Sequence, residues 1–262
     1  MADTLVALEL LEPGIYLLRI QREKALNALN SAVLDELSSA LDALDGKADA
    51  RVVIVTGQGS KAFVAGADIE AIHQIANDAA ARQFAEKGQR LFQRFQESSI
   101  IYIGAINGYA LGGGLELAMA LDLRIAAETA RLGQPEINLG IIPGFGGTQR
   151  LGRLVGPGRA LWMIASGEPV RAPEAQAMGL VDAVTASNEL MDECLRRARV
   201  LAQKAPLALA ESKRMVARSR DWTIHEGLQA EAEAFSALAV SDDGREGTRA
   251  FLEKRQPVFR GP

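Results

Sequence analysis

The sequence is poor in the residues on which most catalytic and metal centres depend. It has one cysteine, Cys194, so no intramolecular disulfide can form. Nothing at ligand spacing surrounds that cysteine, and it reads as an ordinary semi-buried thiol. The two histidines, His73 and His225, read as surface or core residues rather than as bases or ligands. No His/Cys/carboxylate cluster has metal spacing, so no metal is assigned. There is no G-x-S-x-G nucleophile elbow and no G-x-x-x-x-G-K-[ST] phosphate loop. No apolar run reaches about 18 residues, which argues against a membrane span. Positive charge is not in excess either. Lys and Arg number 29 against 33 Asp and Glu, a net −4 that removes the electrostatic case for nucleic acid or an anionic membrane as partner. The acidic start, MADTLVALELLEPG, lacks the basic segment of a secretory signal, so a cytoplasmic protein is expected.

What is present suits one large domain, or a domain with an appendage. The 262 residues are 48% hydrophobic and 24% charged, enough to bury a core without covalent staples. Leu5 to Leu10 and Ile15 to Ile20 are apolar runs joined at Glu12-Pro13-Gly14, which predicts a hairpin. Val33, Leu34, Leu37, Leu41 and Leu44 fall at helical spacing after the possible caps Asn30 and Ser31, and Gly46 ends that helix. VVIVT (Val52 to Thr56) and Ile100 to Ile106 read as buried parallel strands, and Leu123 to Ala127 as a weaker third. Residues 70 to 97 form a helical region broken near Asn77. Strands alternating with helices predict an α/β layout with crossover connections.

From about residue 157 the texture changes. Val181 to Val184 is the one strand candidate, and helical patterns cover Glu189 to Lys204, Leu207 to Ser219, Thr223 to Val240 and Gly244 to Arg255. Leu228, Ala232, Phe235 and Leu238 give the third of these an apolar face for the core or for another subunit.

Glycine is where the chemistry gathers. Gly57, Gly59 and Ala62 imitate a dinucleotide fingerprint, but no helix opens after them and the match is discarded. Gly112 to Gly114 precede a short apolar segment, LELAMA, that carries one carboxylate, Glu116. Helix-opening N–H groups beside a carboxylate suit a negatively charged oxygen; a plain turn feeding a buried helix fits equally well. KAFVAGADI (Lys61 to Ile69) and IPGFGGTQR (Ile142 to Arg150) are further small-residue turns. GQPEINLG holds Glu136 between Pro135 and a glycine bend. Free N–H groups with two carboxylates, and no nucleophile–histidine pair, suit a carbonyl that becomes an enolate. Glu136 as a capping or ion-paired residue stays open on these grounds.

These segments, in this order with REKALNAL (Arg22 to Leu29) and the tail EGTRAFLEKR (Glu246 to Arg255), resemble the crotonase (enoyl-CoA hydratase/isomerase) superfamily along nearly the whole chain. The resemblance implies a spiral of ββα turns over residues 1 to 200 and a helical trimerisation region over 201 to 262, in a trimer or dimer of trimers. It implies an acyl-CoA substrate and hydration of a trans-2-enoyl-CoA to the 3-hydroxyacyl-CoA, with no cofactor beyond the CoA of the substrate. Glu116 and Glu136 become the catalytic pair, Glu116 aiding attack of water at C3 and Glu136 giving the proton to C2. The N–H groups of Ala67 and Gly113 become the oxyanion hole, and Gly144 helps to orient the water. The CoA follows Ala65, Asp68, Ile69, Glu70 and Gly112 on one wall and Lys24, Ala25, Leu26 and Ala28 on the other. Phe251 and Lys254 reach the CoA of a neighbouring subunit.

Two departures stand out. Glu23 replaces the proline common before KALNAL, and Ser98-Ser99-Ile100 stands where Lys-Pro-Val is usual. Retention of both glutamates favours hydration over the alternative, a Δ3,Δ2-enoyl-CoA isomerase using one carboxylate as a proton shuttle. A non-catalytic RNA-binding role is disfavoured by acidity and by the lack of a basic, aromatic-lined stripe. Acyl length is not legible, since it depends on the wall around residues 70 to 100 and on Phe145.

Overall fold

The computed structural model describes residues 4–261. Ten strands lie in chain order: β1 (Val6–Glu12), β2 (Ile15–Ile20), β3 (Val52–Gly57), β4 (Ala62–Val64), β5 (Ile101–Ile106), β6 (Tyr109–Leu111), β7 (Leu123–Ala127), β8 (Arg131–Gly133), β9 (Val170–Arg171) and β10 (Ala183–Thr185). They form a six-stranded sheet, β1-β2-β3-β5-β7-β10, and a four-stranded sheet, β4-β6-β8-β9. The β1–β2 hairpin and the β8–β9 pair are antiparallel, and the other pairings are parallel. Each of the pairs β3–β4, β5–β6 and β7–β8 steps from the large sheet to the small one before the chain turns into helix, which makes the expected ββα spiral.

The helices of the spiral are α1 (Ser31–Asp45), α2 (Ile69–His73), α3 (Asp78–Glu97), α4 (Gly113–Ala120), α5 (Gly147–Val155), α6 (Pro157–Ser166), α7 (Ala172–Ala177) and α8 (Leu190–Ala202). The expected break near Asn77 is a cap: its side chain accepts from the Ala80 N–H and starts α3. Both faces of the large sheet are covered, which is why its central strands read as unbroken apolar runs. Leu18, Val53, Val55 and Tyr102 face α1, α3 and α4 on one side. Ile15, Val52, Ile54, Ile103 and Ile125 face α8 on the other. Cys194 lies on α8 in that second layer and is fully buried rather than semi-buried.

Three helices complete the chain: α9 (Pro206–Arg218), α10 (Ile224–Ala239) and α11 (Asp242–Leu252). Thr223 and Glu226 form a capping box that sets the start of α10. No residue of α10 is buried, and Leu228 and Phe235 face outward rather than onto the core of this chain. One buried lysine ties α9 to the spiral. The Lys213 ammonium meets the Asp122 carboxylate at 2.9 Å and donates to the carbonyls of Phe95 and Ile100, both at 2.7 Å.

The short strands of the second sheet are absent from the expectations above, because two or three residues cannot display a period. The expected strand at Val181 to Val184 lies instead at β10, two residues on, while Leu180 and Val181 turn into the core. Among the described residues no helix is long and apolar enough to cross a membrane.

Candidate active site

The site begins where the turn after β4 runs alongside the loop before α1. The Ala65 N–H donates to the Leu26 carbonyl at 3.1 Å, Leu29 N–H to the Gly66 carbonyl at 2.8 Å, and Asp68 N–H to the Leu29 carbonyl at 2.8 Å. Successive N–H groups of extended chain point to opposite sides. The Gly66 carbonyl and the Asp68 N–H both pair with Leu29, which turns the Ala67 N–H to the opposite side, and it has no acceptor among the described residues. Arg22 braces this pairing with bonds to the Ala28 carbonyl at 2.6 Å and to the Asp68 carboxylate at 3.1 Å.

The glycine tract faces that amide, and each glycine has its own physical reason. Gly112 takes φ +48°, and its N–H donates to the Gly133 carbonyl at 2.9 Å, reversing the chain from β6 into α4. Gly114 packs so closely on β4 that a β-carbon would overlap the Val64 carbonyl. Gly113 opens the helix. Its N–H is one of the first-turn donors that no helix can satisfy internally, and it also has no acceptor among the described residues. A β-carbon on Gly113 would lie 3.3 Å from the Ala67 nitrogen, so the two residues with unpaired amides stand side by side on one cavity.

Every residue of α4 is buried, Glu116 included. Its Oε1 accepts from the N–H groups of Phe145 at 2.8 Å and Gly147 at 2.6 Å, the turn that opens α5. Glu136 sits half-buried in a 3-10 turn, Pro135–Leu139, and its Oε1 lies 2.7 Å from where a β-carbon on Gly112 would be. The fully buried Gln134, with its amide nitrogen turned to the carboxylate, donates to both Glu136 oxygens at 3.0 and 3.1 Å. Burial pushes both glutamates up to about 7. For Glu116 the Glu136 charge adds to the rise, while the Gly147 and Phe145 amides and the Arg150 charge oppose it.

Ala65, Ala67, Ile69, Gly112, Gly113, Glu116, Glu136 and Gly144 all line one cavity of about 380 Å³, with apolar walls that include Ile72, Ile75, Phe84 and Ile142. The carbonyl of Gly144 accepts from Gln89 at 2.8 Å. Lys24, Ala25 and Leu26 lie exposed, and Ala28 half-buried, in the loop beside Ala65. Asp68 and Glu70 sit outside the cavity lining, and the Asp68 carboxylate is engaged by Arg22 and by the Glu70 N–H it caps. Phe251 and Lys254 are on and just after α11 and do not line the cavity. Phe145 is core: its ring packs on Phe84 and Phe92 at centroid distances of 5.2 and 5.6 Å, in space that the absent side chain of Gly88 leaves open.

Gln134, Phe84 and Arg150 escaped the sequence reading. Gln134 and Arg150 lie inside the quoted segments GQPEINLG and IPGFGGTQR, but nothing local marks a glutamine or arginine as facing inward. Among the described residues no group of three or more His, Cys, Asp and Glu is arranged around a metal position.

The enoyl-CoA hydratase/isomerase family model matches residues 11–262. The chain is 42% identical over 245 residues to a short-chain-enoyl-CoA hydratase of Clostridium acetobutylicum, covering 94% of each. It is 43% identical over 248 residues to a crotonyl-CoA hydratase of Syntrophomonas wolfei, covering 95% of each. A crystal structure of an enoyl-CoA hydratase from Bacillus anthracis superposes with a TM-score of 0.94 at 38% identity, over 98% of this chain and 100% of that one.

Proposed function

The chain belongs to the enoyl-CoA hydratase/isomerase family, and on that premise we propose that it adds water reversibly to a trans-2-enoyl-CoA, giving the 3-hydroxyacyl-CoA. One observation carries the reading. Two carboxyls raised to about 7 share a cavity with two neighbouring backbone amides that have no acceptor among the described residues.

The thioester oxygen accepts from the Ala67 and Gly113 N–H groups, where the start of α4 adds its positive end. Ionised Glu116, held by the Phe145 and Gly147 amides, takes a proton from water as the water oxygen bonds to C3. The electrons of the C2=C3 bond move onto the thioester, and the two amides hold the enolate oxygen. Protonated Glu136 gives its proton to C2, and Gln134 steadies the carboxylate left behind. Near neutral pH each glutamate is available in the form its role requires. The reaction is redox-neutral, and the CoA arrives as part of the substrate.

The same reading assigns Gly144 to the water, and Ile69, Glu70, Gly112 and the loop of Lys24 to Ala28 to the CoA. It makes α9–α11 the trimerisation region, with Phe251 and Lys254 reaching the CoA of a neighbouring subunit. The outward apolar side chains of α10 support that assignment.

Loss of the conjugated-thioester absorbance of crotonyl-CoA tests the activity. Glu116→Gln and Glu136→Gln are each expected to lower kcat by roughly 10²–10⁴-fold with a much smaller change in KM. Near-normal hydration by either variant would sink the two-glutamate mechanism. Double-bond migration without uptake of water at C3 would assign the isomerase chemistry instead.

A further inference from the structure

Arg150 lies one turn into α5, half-buried between that helix and α3. Its Nη1 donates to the Phe145 carbonyl at 2.8 Å, and its Nε and Nη2 both donate to Gln96 Oε1 on α3, at 3.1 and 3.0 Å. The guanidinium rests against Gly146, which takes φ +109° and leaves no room there for a β-carbon. Residues 145 to 147 thus do two things at once. Their inner side presents the Phe145 and Gly147 N–H groups to Glu116 Oε1, and their outer side is gripped by a guanidinium anchored on another helix.

We propose that Arg150 is a positioning residue for Glu116. Through the 145–147 turn it fixes the carboxylate that activates water, and it sets a positive charge behind that turn. The inference rests on the hydratase reading and adds a residue to it.

The charged groups acting on Glu116 are Glu136, from the 3-10 turn, and Arg150, from α5. They act in opposite senses: the Glu136 charge favours the neutral acid, and the Arg150 charge favours the carboxylate. The groups acting on Arg150 are Glu116 and, on its own helix, Arg153. From α3 it meets the neutral Gln96. Removing the guanidinium therefore both loosens the turn and takes away the positive charge that opposes Glu136, leaving the Gly147 and Phe145 amides alone against it.

The test compares wild type with Arg150→Met, Arg150→Lys and Gln96→Leu in crotonyl-CoA hydration from pH 5.5 to 9, alongside circular dichroism and melting. Arg150→Met is expected to lower kcat roughly 10- to 100-fold, as misplacement of a catalytic group does, with KM within about threefold. The acid limb of its kcat/KM profile is expected to move up by about half a pH unit or more. Arg150→Lys should return that limb to its wild-type position while recovering only part of kcat, because a point charge replaces a rigid fork. A purely structural clamp would lower the melting temperature and scale the whole profile without moving the limb. That result, or identical profiles for Met and Lys, overturns the proposal. If Arg150→Met does not fold, Gln96→Leu decides, since it keeps the charge and releases the guanidinium from α3. A fall in kcat with the limb in place and the melting temperature unchanged supports the proposal, and a fall matched by a lower melting temperature, or a kcat within twofold of wild type, overturns it. Wild-type protein that hydrates no enoyl-CoA would instead defeat the underlying reading, independently of any variant.

Discussion

The Ala67 nitrogen lies 3.3 Å from the position that a β-carbon on Gly113 would take, so a methyl group there would press directly on the Ala67 amide. On the other side the Phe145 ring stands 3.4 Å from that position. Gly113→Ala would fill the space between the two N–H groups that the proposed mechanism gives to the thioester oxygen. The expected result is a fall in kcat of roughly 10²–10³-fold, the usual cost of losing an oxyanion donor. Gly113 has an ordinary negative φ at the start of a helix, so the backbone accepts alanine and any fall in melting temperature reflects only the 3.3–3.4 Å contacts with Ala67 and Phe145. Steady-state hydration kinetics with a parallel melt would check this, and full activity in the alanine variant would exclude Gly113 from the site.

Stability should carry the signature of the buried glutamates. Both titrate near 7 in the folded protein, above the ordinary 4.5. The native state therefore holds more protons than the unfolded chain between those values. Their stabilising contribution is complete below pH 4.5 and is lost as pH rises through 7. Glu116→Gln removes the charge that burial opposes. Relative to wild type it is expected to gain stability between pH 4.5 and pH 8.5, on the order of 1–3 kcal/mol. Denaturant melts at the two pH values measure the difference. A variant offset that stays flat with pH would contradict the burial argument.

The acyl wall offers a specificity test. Phe84 lines the cavity and is braced by Phe145, whose ring is itself held edge-on by Phe92. A braced phenyl ring limits room for the acyl chain, and each methylene admitted to an apolar pocket is worth about 0.8 kcal/mol. Phe84→Ala is therefore expected to raise the ratio of kcat/KM for an eight-carbon over a four-carbon enoyl-CoA by roughly 10-fold. An unchanged ratio would place the end of the acyl site elsewhere.

Lys213 tests the attachment of the last three helices. Lys213→Met would leave the half-buried Asp122 carboxylate without its cation, and the carbonyls of Phe95 and Ile100 without a donor. Breaking a fully buried pair from one side costs about 3–5 kcal/mol, and the partial exposure of Asp122 puts this loss at the lower end, about 3 kcal/mol or less. A clear drop in denaturation midpoint is expected, with the pH limbs of kcat/KM unmoved because Lys213 does not line the cavity. A midpoint unchanged from wild type would show that α9 docks by other contacts.

Local pattern was enough for much of this protein. Val52 to Thr56 and Ile101 to Ile106 declare themselves as buried strands because both faces of the large sheet are covered. Asn77 and Thr223 mark helix starts because capping is a matter of a few neighbouring atoms. The glycine tract, Glu116 and Glu136 were visible as residue types that suit enolate chemistry. The resemblance of four ordered segments placed them in one family.

Other features exist only through pairing across the chain. The second sheet is built from strands of two to three residues, which acquire identity from their partners. Ala67 has a free N–H because Leu29, far back in sequence, takes its neighbours. Glu116 is held by amides 29 and 31 residues away, and its titration near 7 comes from the helices and turns that exclude water around it. The inward placement of Gln134, Phe84 and Arg150 follows from the same packing. The chemical groups are written in the sequence. Which of them stay unpaired, buried and mutually oriented is decided by long-range backbone pairing, because a donor is free only when the fold gives it no acceptor.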